Sequence, residues 1–118
     1  MAFGAHAEYV ALPEDAVLAL KPATISYEED AAIPFGVTAS MHFLRFANIQ
    51  AGQKVLVYGA SGALGTMGIQ LARNLGAEVT AVCSTKNIDR VKALGADHVI
   101  DYTKEDFTQS EIRYDLIM

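Results

Sequence analysis

Residues 54–65 read KVLVYGASGALG and join an apolar run to a glycine-rich turn. Val55, Leu56 and Val57 form a short continuous apolar run, which is typical of a strand buried on both faces of a parallel sheet. The turn from Gly59 to Gly65 follows at once, and a helix is predicted over about 64–74, closed by Gly76. This succession predicts the first strand, turn and helix of a βαβ unit.

The same alternation continues to the end of the chain. Further buried strands are predicted at 78–83 and 98–101, and a helix between them starts at Thr85 as its cap and ends at Gly95. A short helix near 105–109 and a fourth strand over 114–118 complete the pattern. The predicted fold class is α/β, a Rossmann-type parallel sheet with flanking helices. Because the chain ends inside the fourth strand, we expect this sheet to be truncated.

A short β/helical connecting segment is expected before the sheet. The stretches 6–12 (HAEYVAL) and 16–21 (AVLALK) predict two short strands around a turn at 13–15. Ser26 and Glu29 have the spacing of a capping box, so a helix should start there. Pro34 is expected to interrupt that helix, which resumes over 37–46.

Composition excludes several functional classes. The chain has 118 residues, of which 52% are hydrophobic and 19% charged, which indicates one globular domain. The net charge of −5 argues against nucleic acid, and no apolar run approaches the roughly 18 residues of a membrane span. The single cysteine, Cys83, and three scattered histidines predict no metal site and favour a cytoplasmic location.

The glycine turn is a candidate phosphate site. The free N–H groups and the positive dipole end of the following helix can bind a pyrophosphate at this junction. Gly62 lets the backbone approach the phosphates, Gly65 lets the helix pack close to the strand, and Ala60 stands where the fingerprint usually has its first glycine. The pattern alone fits a turn that binds nothing, but its place between strand and helix favours a dinucleotide. The predicted pyrophosphate-binding residues are Gly59, Ala60, Ser61, Gly62, Ala63, Leu64 and Gly65.

The end of the second strand indicates which dinucleotide binds. Residues 83–86 read CSTK, without the acidic residue that binds the ribose hydroxyls of NAD. The Ser84 hydroxyl and the Lys86 charge can instead bind the 2′-phosphate of NADP, so NADPH is the expected cofactor. The alternative is that Ser84 and Thr85 only cap the helix and that Lys86 is solvated.

Four stretches together resemble the medium-chain dehydrogenase/reductase superfamily, and most closely its zinc-independent quinone oxidoreductase branch. They are GAHAEYV (4–10) with Pro13, AAIPFGVTA (31–39), the segment 55–73, and LGADHVIDY (94–102). The resemblance implies hydride transfer from NADPH to a quinone or an α,β-unsaturated carbonyl compound, with no catalytic acid or base in this chain. It divides the chain into the last strands of a catalytic domain (1–25), connecting helices (26–53) and a truncated dinucleotide-binding domain (54–118).

The resemblance also implies roles for single residues. Pro34 stands where zinc-dependent members have a cysteine ligand, Thr38 corresponds to a residue near the nicotinamide, and Tyr102 to one near the 2′-phosphate. Thr38 could equally be a helix hydroxyl bonded to its own backbone, and Tyr102 a half-buried aromatic residue at a strand end. An enoyl-thioester reductase, a zinc-dependent alcohol dehydrogenase and a dinucleotide-binding module without catalysis stay open as alternatives.

A homo-oligomer is also expected. A truncated sheet exposes an edge strand, and an exposed edge can pair with another chain, here through residues 114–118. Dimers in the resembled superfamily often form through a late strand of this sheet.

Overall fold

The computed structural model describes residues 6–118, and a four-stranded parallel sheet lies at its centre. Helix α1 precedes the sheet, and two helices connect its first three strands. The elements are α1 (Tyr27–Phe46), β1 (Lys54–Tyr58), α2 (Ala63–Asn74), β2 (Glu78–Cys83), α3 (Ile88–Ala93), β3 (His98–Asp101) and β4 (Leu116–Ile117).

The strand order is β3-β2-β1-β4, and every neighbouring pair is parallel. Val55 pairs with Val79 and Ala81 with Val99, so the short apolar runs lie side by side at the middle of the sheet. Side chains from α2 and α3, such as Ile69 and Val91, pack on one face of the sheet and are fully buried there. The predicted α/β sheet with flanking helices is confirmed.

Helix α1 is continuous, so the prediction that Pro34 interrupts it is wrong. The helix begins at the predicted capping box, where Ser26 and Glu29 exchange hydrogen bonds. Proline cannot donate to the carbonyl one turn earlier, and its ring crowds that carbonyl, but Pro34 lies on the exposed side of the helix. The buried stripe of Gly36, Ser40 and Leu44 packs against α2 and the core. This tertiary contact outweighs the lost hydrogen bond.

The predicted strands at 6–12 and 16–21 are wrong. Both stretches are irregular and largely exposed, and the sheet formed within residues 6–118 contains only β1 to β4. Without a neighbouring strand, alternating apolar residues cannot form a stable ladder. The turn between them is confirmed, because the Ala16 N–H donates to the Pro13 carbonyl at 3.0 Å. Gly4 and Ala5 of the family-like stretch lie outside the described residues.

The connection from β3 to β4 is less regular than predicted. A 3₁₀ turn at Phe107–Gln109 stands where a short helix was expected, and β4 is limited to Leu116–Ile117. Asp115 joins the start of β4 to the start of β1, because its N–H donates to the Lys54 carbonyl at 2.8 Å and its side chain accepts from the Lys54 N–H at 2.7 Å. None of the helices within residues 6–118 has the length and apolar character needed to cross a membrane.

Candidate functional site

Backbone hydrogen bonds hold the glycine turn closed at the carboxyl end of β1. Gly59 has a φ of +67°, which a glycine adopts without strain. The Ala60 N–H donates to the Val82 carbonyl at 3.0 Å, and the Gly62 N–H donates to the Gly59 carbonyl at 2.9 Å. Ala60 is also fully buried. These two N–H groups therefore support the closed turn, in which the residues predicted to bind the pyrophosphate lie together.

The first N–H groups of α2 face the turn without a side-chain cap. Gly62 occupies the cap position and has no side chain that could accept from Ala63, Leu64 or Gly65. A Cβ on Gly65 would lie 2.5 Å from the Gly59 carbonyl oxygen, so glycine is required where the helix meets the turn. Uncapped N–H groups at the positive end of a helix dipole form a site that fits a pyrophosphate.

The turn after β2 lies directly beside the glycine turn. Ser84 stands at the cap position of a 3₁₀ turn (Thr85–Asn87), but its hydroxyl binds no backbone N–H. The Asn87 Nδ2 atom donates to the Ser84 Oγ and to the Ser61 Oγ, both at 3.1 Å. The structure thus brings together Ser61 and Ser84, which the sequence assigned to the pyrophosphate and the 2′-phosphate. Asn87 itself was missed, because nothing in the local pattern indicates a contact with a residue 26 positions earlier.

Thr85 is not the helix cap that the sequence predicted. It is the first residue of the 3₁₀ turn, and its hydroxyl donates to the Asp101 carboxylate. Lys86 is exposed, and none of the ion pairs within residues 6–118 involves it. Its charge therefore faces solvent beside Ser84, as a residue that binds a phosphate must.

Asp101 is a buried carboxylate at this edge of the sheet that sequence reasoning also missed. It is 5% exposed and accepts from the Thr103 N–H at 3.0 Å and the Thr103 hydroxyl at 2.7 Å, besides Thr85. These hydrogen bonds, from Thr103 first and Thr85 second, lower the pKa of Asp101 to about 2. Lys104 lies 3.6 Å away. The parallel register of the folded sheet sets Asp101 opposite Cys83, so this acid lies beside the end of β2, where the sequence itself has none.

Tyr102 follows Asp101 and lies at the same edge of the sheet. Its N–H donates to the Cys83 carbonyl at 3.2 Å, and its side chain is 54% exposed. The ring lines an open cleft with Tyr58, Lys104 and Phe107. Cys83 is buried, and burial, together with the nearby charge of Asp101, raises the pKa of its thiol. The thiol is therefore protonated at neutral pH.

Thr38 lies apart from these residues. The face of α1 that packs on α2 carries Gly36 and Ser40, and the Ser40 hydroxyl donates to the Leu64 carbonyl at 3.0 Å. Thr38 is about 200° around the helix from Gly36 and lines an exposed depression with His42. The structure does not bring Thr38 to the glycine turn. Within the described residues, no three His, Cys, Asp or Glu side chains lie close enough together to hold a metal ion.

Comparison with known proteins gives a consistent set of relatives. A family model described as zinc-binding dehydrogenase matches residues 63–114. A 2-methylene-furan-3-one reductase of Solanum lycopersicum is 38% identical over 117 residues, 98% of this chain and 30% of that protein. An NADPH-dependent alkenal/one oxidoreductase of Arabidopsis thaliana, a chloroplastic protein, is 37% identical with the same coverage of both chains. A trans-enoyl reductase of Aspergillus terreus is 40% identical over 104 residues, 88% of this chain and 29% of that protein.

A solved structure agrees with these relatives. The quinone oxidoreductase from Coxiella burnetii superposes with a TM-score of 0.80 at 30% identity, covering 85% of this chain and 32% of that chain. The chain spans about 30% of the length of each of these proteins.

Proposed function

We infer that this chain, which belongs to the medium-chain dehydrogenase/reductase superfamily and is quinone-oxidoreductase-like, forms the NADPH-binding part of an oxidoreductase. The proposed reaction is hydride transfer from NADPH to a quinone or an α,β-unsaturated carbonyl compound. NADPH supplies the hydride, and the residues of this chain bind and orient it. The relatives include an NADPH-dependent alkenal/one oxidoreductase and a quinone oxidoreductase, which supports this choice.

Each part of the site has a proposed partner on the cofactor. The N–H groups of Ser61 and of residues 63–65 would bind the pyrophosphate, where α2 has no side-chain cap. Ser84, Lys86 and Tyr102 would bind the 2′-phosphate at the ends of β2 and β3. Thr38 would face the nicotinamide end, an assignment that rests on the family resemblance alone. No residue of this chain is assigned as a catalytic acid or base.

One observation carries the proposal. The uncapped start of α2 lies beside a second turn whose serine hydroxyl and lysine charge are not used in capping or ion pairing. Asp101 is the nearby acidic residue, and its oxygens already accept from Thr85 and Thr103. The edge therefore offers donors rather than free acceptors, as a 2′-phosphate requires.

Calorimetric titration with NADPH and, separately, with NADH tests this proposal. We expect NADPH to bind at least about tenfold more tightly, or about 1.4 kcal/mol. Tighter binding of NADH would overturn the choice of cofactor and leave the dinucleotide site. Failure of both to bind this chain would overturn the proposed site.

Two alternative functions use the same proposed cofactor site. The trans-enoyl reductase among the relatives favours an enoyl thioester as acceptor, and a module that binds dinucleotide without turnover is the other possibility. Nicotinamide absorbance, followed with NADPH and in turn a simple quinone, an enone and an enoyl thioester, separates them. Steady oxidation with the quinone or enone supports the main proposal, and binding without any turnover supports the module.

We also propose that the enzyme works without zinc. Pro34 stands where the resemblance places a cysteine ligand, and proline has no side-chain atom that binds a metal. Elemental analysis of the purified protein tests this, and about one zinc ion per chain would contradict it. The relatives' substrates are small molecules. The net charge of −5 supports the absence of a nucleic-acid partner, and the lack of an apolar run of roughly 18 residues supports the absence of a membrane partner.

A homo-oligomer and a cytoplasmic location complete the proposal. Strand β4 pairs with β1 on one side only in the described sheet, and Ile117 is 59% exposed, which supports pairing between copies. Light scattering at high concentration should show dimers or larger species, and a clean monomer would contradict this.

The single free thiol of Cys83 supports a cytoplasmic location. One relative is chloroplastic, so an organelle is the alternative, and imaging of a fluorescent fusion would distinguish the two.

A further inference from the structure

We propose that Asn87 is a positioning residue that couples the pyrophosphate-binding turn to the 2′-phosphate-binding turn. This inference rests on the proposed function. Asn87 touches neither phosphate in the proposal; it acts through Ser61 and Ser84, whose hydroxyl oxygens both accept from its Nδ2 atom at 3.1 Å.

The side chain of Asn87 does not cap the helix that it precedes. It occupies the cap position of α3, where an asparagine side chain commonly accepts from the first N–H groups of the helix. Here the side chain makes no such bond. It is turned toward Ser61 and Ser84, and all three side chains are partly buried. The Asn87 side chain therefore joins the two turns and leaves α3 without a side-chain cap.

Because Asn87 is the donor in both bonds, the hydroxyl protons of Ser61 and Ser84 are not used in them. The Asn87 amide nitrogen carries two hydrogens, and it donates one to each serine oxygen. Each hydroxyl then keeps its own proton free to donate to a further acceptor. A phosphate oxygen is such an acceptor, and donation to an ionised group is stronger than donation to a neutral one. Asn87 thus orients two donors toward the positions proposed for the cofactor phosphates.

The backbone of Asn87 is itself fixed, so the amide is held in place. Its N–H donates to the Ser84 carbonyl at 2.9 Å, which closes the 3₁₀ turn. On the other side, the Ala60 N–H bond to Val82 joins the glycine turn to β2. The side-chain bridge therefore adds a second link between two segments whose backbones already meet.

The test compares NADPH with NADH, which differ only in the 2′-phosphate. Ser84→Ala should weaken NADPH by about tenfold and leave NADH nearly unchanged. Asn87→Ala should weaken both, because Ser61 is affected, but should weaken NADPH several-fold more. In the Ser84→Ala background, Asn87→Ala should weaken the two cofactors by the same factor, since the link to the 2′-phosphate is already gone.

Asn87→Asp separates donation from packing. It keeps the size of the side chain, yet its oxygens would take the serine protons and its charge would repel the phosphates. We expect a larger loss of NADPH affinity than for Asn87→Ala, with a melting temperature close to that of the parent chain. Asn74→Ala is the matched control, because Asn74 is an exposed asparagine at the far end of α2.

The outcomes distinguish this inference from the proposed function. If the parent chain binds NADPH but Asn87→Ala binds both cofactors as the parent does, or loses both equally, the coupling is overturned and the function stands. If Asn74→Ala produces the same pattern as Asn87→Ala, the coupling is likewise overturned. If the parent chain binds neither cofactor, the inference falls together with the function.

Discussion

The carboxylate of Asp101, the last residue of β3, accepts a hydrogen bond from the hydroxyl of Thr85, the first residue after the cap of the β2–α3 turn. Thr103 donates to the same carboxylate from its N–H and its hydroxyl. One buried acid therefore joins the two turns that carry Lys86 and Tyr102. Its hydrogen bonds hold these two turns together at the carboxyl ends of β2 and β3.

We expect Asp101→Asn to destabilise the chain at neutral pH, with a dependence on pH that identifies the cause. The pKa of Asp101 is about 2 in the folded chain and 3.8 without these contacts, so the carboxylate stabilises the fold above about pH 4. This contribution is lost as the pH falls from about 4 to about 2. Unfolding of the parent chain and of Asp101→Asn at pH 7, 4 and 2 should show a stability difference that shrinks as the pH falls. A difference independent of pH would contradict the assignment.

Two glycines of the turn should differ sharply when replaced by alanine. A Cβ on Gly65 would lie 2.5 Å from the Gly59 carbonyl oxygen and 2.6 Å from the Ala60 Cα, both backbone atoms. Gly65→Ala should therefore cost about 1–3 kcal/mol of unfolding free energy. Gly62→Ala meets only the Gly59 oxygen at 3.3 Å and should cost much less. Urea unfolding of the pair measures this, and equal losses would contradict the close approach at Gly65.

The sequence predicted those elements whose signals are local. Strands β1, β2 and β3, the glycine turn and the capping box at Ser26 each depend on a few adjacent residues. The features that were wrong or missed depend on distant partners. A helix passes through Pro34 because its buried stripe packs on α2, and the stretch 6–12 is irregular because no strand lies beside it. The Asn87 bridge needs a register that only the folded sheet supplies.

The contact between α1 and α2 gives a further prediction. A Cβ on Gly36 would lie 2.6 Å from the Ala63 carbonyl oxygen, and the buried Ser40 hydroxyl donates to the Leu64 carbonyl at 3.0 Å. Gly36→Ala should cost about 1–3 kcal/mol by overpacking, and Ser40→Ala about 1 kcal/mol by loss of the hydrogen bond. The exposed Thr38→Ala is the control and should change stability by less than about 0.5 kcal/mol. Thermal and urea unfolding test all three; a neutral Gly36→Ala would refute the close packing.

At the amino end of β3, Asp97 should contribute more to stability than its ion-pair partner Arg73. Asp97 accepts from the Val79 N–H at 2.9 Å and also binds the Arg73 guanidinium. The Val79 hydrogen bond is the main cause of the lowered pKa of Asp97. Asp97→Ala leaves the N–H of a buried strand residue without its partner and should cost about 1–3 kcal/mol. Arg73→Ala removes a largely exposed partner and should cost less than about 1 kcal/mol. A reversed order in urea unfolding would show that the ion pair dominates.

Lys86→Glu tests the choice between the two cofactors most directly. Lys86 is exposed next to Ser84, so its replacement should leave the fold intact and place a negative charge where the 2′-phosphate is proposed to bind. Loss of a charge-assisted hydrogen bond corresponds to roughly 1.5–3 kcal/mol, so NADPH should bind about tenfold to a hundredfold more weakly. NADH lacks the phosphate and should change by less than about threefold. Lys92→Glu makes the same charge change in the last turn of α3, at the other end of that helix, and should affect neither cofactor selectively. Titration calorimetry of both variants measures the affinities for NADPH and NADH. Equal losses of the two affinities in Lys86→Glu would contradict a contact between Lys86 and the 2′-phosphate.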